Sequence, residues 1–72
     1  MNKYNLISAA KEYLSFANTP EFGGVVSYGT LSGFVESVGD DNLSIKFERA
    51  FEDLKWVDIK VDWFIDFLNK EF

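Results

Sequence analysis

The chain has no cysteine, no histidine, one proline and one methionine in 72 residues. Without cysteine there are no disulfides, no thiolate metal ligands and no thiol nucleophile. Without histidine there is no imidazole ligand and no side chain whose ordinary pKa suits general-base work near neutrality. Basic residues are also sparse: seven against twelve acids, for a net charge of -5 and a pI near 4.4. They are scattered, at Lys3, Lys11, Lys46, Arg49, Lys55, Lys60 and Lys70. Binding to a phosphate backbone relies on clustered Lys and Arg, so direct nucleic-acid binding is disfavoured and a partner protein with a basic surface is favoured. No apolar run approaches the roughly 20 residues needed to span a bilayer. The start, MNKYNLISAAKEYLSF, has its apolar stretch broken by Lys11-Glu12, unlike a signal peptide. A cytoplasmic protein without a membrane partner is expected, and the sequon Asn42-Leu43-Ser44 is then only part of a turn.

What the chain does have is aromatic mass: eight Phe, three Tyr and two Trp, within a composition 47% hydrophobic. A core this small rarely supplies more than about 3–5 kcal/mol, and natural mini-proteins add disulfides, metals or a second subunit. Only dense apolar burial and self-association remain open here. Large rings bury much area per residue, which suits one domain spanning residues 1–72.

The first segment, about residues 2–17, predicts an amphipathic helix. Leu6/Ile7, Ala10, Leu14 and Ala17 recur at three-to-four spacing, Asn2 or Asn5 can cap the start, and Asn18 can end it. The period then changes to two. Leu43, Ile45 and Phe47 alternate with Ser44, Lys46 and Glu48, so residues 43–48 read as a strand. Gly39-Asp40-Asp41-Asn42 reads as a hairpin turn joining it to a β-rich run, 29–38, in which Gly29 and Gly33 would be bulges. The last quarter carries both periods. Val57, Ile59, Val61 and Trp63 alternate, whereas Val61, Phe64, Ile65, Leu68 and Phe72 form a helical stripe. A switch of element at Asp62 resolves this, with a third strand over 54–61 and a helix over 62–71 capped by Asp62. One long helix from Glu48 to the end is the alternative. The expected fold is therefore α+β, in the order α-β-β-β-α, with a three-stranded antiparallel meander flanked by helices. The spacing of Gly29, Leu31, Val38, Leu43, Ile45 and Phe47 is similar, as strand-and-turn grammar, to small SH3-like or Tudor-like barrels.

Catalysis lacks its usual parts. Ser8 and Lys11 match S-x-x-K, but the Ser-Asp-Asn and Lys-Thr-Gly partners are missing, and the pair reads as helix surface. Asp40-Asp41-Asn42 has turn chemistry and misses the EF-hand spacing. The glycines fit neither phosphate-loop nor dinucleotide fingerprints. No enzyme, cofactor or metal is expected.

Binding has better material. Asp58, Asp62 and Asp66 are four apart and would line one face of a continuous helix, with Glu48, Glu52 and Asp53 just upstream. Such a row imitates spaced phosphates, although Lys55 and Lys60 interrupt it and a merely solvated polar face explains it better. Trp56, Trp63, Phe64, Phe67 and Phe72 are hard to bury together in so small a body, and Trp, Tyr and Phe dominate interface hot spots. The expected partner-binding set is Asp58, Asp62, Asp66, Trp56, Trp63, Glu52 and Asp53. Small acidic inhibitors of nucleic-acid enzymes have this profile, including phage proteins against nucleases or CRISPR effectors and nuclease immunity proteins. An adaptor of SH3-like type, homodimeric or bound to another chain, is the second reading.

Overall fold

The computed structural model describes residues 2–72. Among these, four α-helices of eleven residues each dominate: α1 (Lys3–Tyr13), α2 (Tyr28–Val38), α3 (Asp41–Phe51) and α4 (Val61–Glu71). Single 3₁₀ turns, Ser15–Ala17 and Glu52–Leu54, follow α1 and α3. The strands are β1 (Val25–Val26) and β2 (Ile59–Lys60), paired antiparallel with Val25 opposite Lys60 and Val26 opposite Ile59.

The expected three-stranded meander is not formed, and the SH3-like or Tudor-like grammar falls with it. Residues 29–38 belong to α2. Leu31, Phe34, Val35 and Val38 stand at i, i+3, i+4 and i+7, and the first three are buried. Ser27 caps the helix by accepting the Thr30 N–H at 3.2 Å. Gly29 and Gly33 are therefore helical residues rather than bulges; a Cβ at Gly33 would meet only the end of the Tyr13 side chain, 3.3 Å from its hydroxyl. Residues 43–48 lie in α3, where Leu43, Phe47 and Phe51 share the buried side. Ile45, which alternation places inside beside Phe47, is 50% exposed.

The expected hairpin turn is a helix stop followed by a helix start. Gly39 ends α2 at φ 73°, a left-handed conformation that glycine adopts without strain. Asp40 then caps α3, its carboxylate accepting the N–H groups of Asn42 at 2.9 Å and Leu43 at 3.1 Å. The expected strand over 54–61 shrinks to Ile59–Lys60, and residues 55–58 form a loop that also rules out one long helix from Glu48. Asp62 does not cap α4. Lys60 holds the N-cap position without a side-chain bond, and Asp62 sits in the first turn, where a carboxylate favours the helix dipole.

The core is wholly apolar; among the described residues no polar or charged side chain is buried. Its centre is a cluster of rings from three helices: Phe34, Phe47, Phe51, Phe64 and Phe67. Phe47 lies 5.2 Å from Phe51, 5.9 Å from Phe64 and 6.5 Å from Phe67 between centroids. Phe64 meets Phe34 edge-on at 5.9 Å. Leu6, Ala10, Leu14 and Ala17 bring α1 and the turn after it onto this cluster. The β1–β2 pairing, extended by a 2.9 Å bond from the Val61 N–H to the Gly24 carbonyl, ties the loop after α1 to the entrance of α4. No described helix is long and apolar enough to cross a membrane.

Candidate protein-binding surface

Phe51 and Ile59 are both buried, so they anchor the two ends of the segment between them. The 3₁₀ turn Glu52–Leu54 follows, with Leu54 packed against the core. Lys55, Trp56, Val57 and Asp58 then project outward. Lys55 lies 5.6 Å from the centre of the Tyr28 ring. Trp56 packs against almost nothing and is 94% exposed; Val57 beside it is half exposed. Glu52, Asp53 and Asp58 are exposed in the same loop. Four of the expected binding residues therefore share one projecting segment: Glu52, Asp53, Trp56 and Asp58.

The remaining three, Asp62, Trp63 and Asp66, are on α4 and exposed. Asp62 and Asp66 are one turn apart on the same side, about 5–6 Å between Cβ atoms for this spacing. Asp58 does not extend that pair, because β2 interrupts the helix that a row of three would require. Trp56 and Trp63 likewise sit on different elements. Trp63 is 46% exposed, and the Lys60 ammonium lies 5.6 Å from its ring centre. It lines a groove of about 360 Å³ with Ala50, Asp66, Phe67, Lys70 and Glu71, a surface of mixed sign. At the rim of α3, Lys46 pairs with Glu71 at 3.5 Å.

A second concavity, of about 350 Å³, was not legible in the sequence. Phe16, from the 3₁₀ turn, meets Phe22 edge-to-face at 5.4 Å. Glu21 and Asp58 line the same cleft, with Val26 and Thr30 beneath, and no lysine or arginine lines it. Two phenylalanines, Phe16 and Phe22, straddle Asn18-Thr19-Pro20, a turn-forming stretch that presents them together. Nothing local connects them to Asp58, which arrives through the β1–β2 pairing.

The other sequence candidates have plain placements. Ser8 and Lys11 are exposed on α1. The Asp40 carboxylate is occupied as a helix cap. Among the described residues no group of three or more His, Cys, Asp or Glu side chains is gathered for a metal ion. Comparison with protein-family models, curated proteins and solved structures finds no match to this chain.

Proposed function

We propose that this chain is a cytoplasmic, non-catalytic protein-binding module that antagonises a nucleic-acid-handling protein, in the manner of phage anti-defence proteins or nuclease immunity proteins. The observation that carries the reading is Trp56, a tryptophan 94% exposed at the tip of a loop bearing Glu52, Asp53 and Asp58. An indole left in water stabilises nothing in the free fold, whereas Trp is the residue most enriched at interface hot spots. Around it, net charge -5 supplies long-range attraction toward a basic site, and the carboxylates would then face the Lys and Arg that such a site presents to phosphates. Mimicry of phosphate spacing is confined to the loop acids and the Asp62–Asp66 pair, since no continuous row exists.

The test is capture by the immobilised protein from a bacterial lysate at low and high salt. A nuclease or another DNA- or RNA-handling protein should be retained at low salt, lost at high salt, and lost with Trp56→Ala. Retention that ignores both salt and Trp56 would overturn the proposal. A second reading, self-association, is favoured by the mixed-sign groove around Trp63, since a two-fold contact needs acids and bases within the same patch. Sedimentation separates the two: a dimer dissociated by Trp63→Ala supports self-association, and a monomer at all concentrations removes it.

A further inference from the structure

We propose that the cleft lined by Phe16, Phe22, Glu21 and Asp58 is a receptor for a single arginine side chain presented by a basic partner protein. Its lining has the parts that a guanidinium uses. Two phenyl rings meet edge-to-face 5.4 Å apart and both are nearly half exposed, which offers ring surface to a planar cation. Two carboxylates, Glu21 and Asp58, come to the cleft from separate parts of the chain, and no lysine or arginine of the chain lines it to neutralise them. Val25 and Val26 offer an apolar wall for the aliphatic stem. The Ser27 and Thr30 hydroxyls, 3.1 Å apart, complete a polar rim with acceptor capacity for further guanidinium N–H groups.

Charge and shape both select the occupant. A carboxylate-bearing or neutral side chain would leave two acids facing an apolar or like-charged group. Lysine offers a compact point charge, strongly hydrated, with no planar face for the ring. Arginine engages ring and carboxylate together, since its fork accommodates a bidentate carboxylate while its plane stacks. One wall of the cleft, Asp58, comes from the loop that also carries Trp56. The inference rests on the reading of the chain as a binder of basic proteins, but it is tested without knowing which one.

The experiment is a ¹⁵N–¹H NMR titration of the full chain with capped Gly-Arg-Gly, Gly-Lys-Gly and Gly-citrulline-Gly, the last nearly isosteric with arginine but uncharged. One side chain should bind with a Kd on the order of 1 mM, so titration runs to about 20 mM. Expected are shifts confined to residues 16–30 and the neighbourhood of Asp58 with the arginine peptide, several-fold weaker binding of the lysine peptide, and none of the citrulline peptide. Asp58→Asn and Glu21→Gln should each weaken the arginine peptide by up to about fivefold, as expected for losing one partly exposed ion pair. Equal shifts from lysine, shifts from citrulline, or arginine shifts located elsewhere would each overturn the assignment. A chain that captures a nuclease through Trp56 yet ignores the arginine peptide loses this inference and keeps the proposed function; the opposite pattern does the reverse.

Discussion

The helical placement of residues 43–47 makes opposite demands on two side chains that a strand would treat alike. In a hairpin Ile45 and Phe47 point to the same face, whereas on α3 Phe47 is 1% exposed and Ile45 is 50% exposed. Phe47 also touches the rings of Tyr28, Phe51, Phe64 and Phe67. Truncating a buried Phe to Ala costs about 3–5 kcal/mol, and loss of favourable ring pairs pushes the figure to the upper end. A core of this size, without disulfide or metal, supplies about 3–5 kcal/mol in all. Phe47→Ala therefore threatens the fold itself, and Phe47→Leu, which costs about 1–1.5 kcal/mol, is the measurable version. Ile45→Ala removes a half-exposed side chain and gains about 0.4 kcal/mol of helix propensity, so its net effect stays within about 0.5–1 kcal/mol. Urea unfolding followed by far-UV circular dichroism reads both. With a slope of about 1 kcal/mol/M for so small a domain, Phe47→Leu should lower the midpoint by about 1–1.5 M and Ile45→Ala by less than about 1 M. An Ile45→Ala loss equal to or larger than that of Phe47→Leu would refute the placement of α3.

Asp40→Ala strands two α3 amide groups at the helix start and should cost about 1 kcal/mol, with Asp40→Asn largely restoring it; equal losses would mean that charge rather than capping matters. Gly33→Ala should be neutral or stabilising by up to about 1 kcal/mol, because the gain in helix propensity meets only the end of the Tyr13 side chain, which is 45% exposed and able to swing away. A clear fall in melting temperature would show instead that the α1–α2 contact is rigid. Trp56→Ala should leave the urea midpoint within about 0.5 M of the parent, in keeping with an indole that has little to lose on unfolding, while abolishing partner capture. A large destabilisation would make the tryptophan a structural residue and remove the main support for the binding surface.

The misreading of the middle of the chain has a definite physical origin. Leu43, Ile45 and Phe47 satisfy period two over five residues, but Leu43, Phe47 and Phe51 satisfy the helical period over nine, and the longer pattern wins because it buries the Phe51 ring in place of Ile45. The capping residues were decisive and visible. Ser27 before α2 and the Gly39-Asp40 pair between α2 and α3 are stop and start signals, and the same glycine and acids look like a hairpin turn when the flanking runs are taken as strands. At the two ends the stripes are less ambiguous. Leu6, Ala10 and Leu14 share a buried face, as do Val61, Phe64 and Leu68, because each continues over several turns without a competing alternation of equal length.

The surface was legible in its residue types and not in its geometry. The expected acidic and aromatic residues are exposed, yet the row that would have joined Asp58 to Asp62 and Asp66 depended on a helix that β2 interrupts. That interruption is a long-range event, set by Val25 and Val26 pairing across to Ile59 and Lys60, and no local pattern announces it. It also redistributes the aromatics in a way that bears on function. Phe34, Phe47, Phe51, Phe64 and Phe67 fill the centre on three helices, and with no buried polar side chain among the described residues, that ring cluster and the caps give the fold its specificity. Phe16, Phe22 and Trp56 contribute nothing comparable. All three lie outside the α-helices and remain exposed, on segments that carry Glu21, Glu52, Asp53 and Asp58. Their exposed surface works against solubility in a small acidic protein, and for Trp56 the free chain has almost no burial to offset that cost. Under the proposed function a partner would cover these rings, and the carboxylates beside them would face its basic surface.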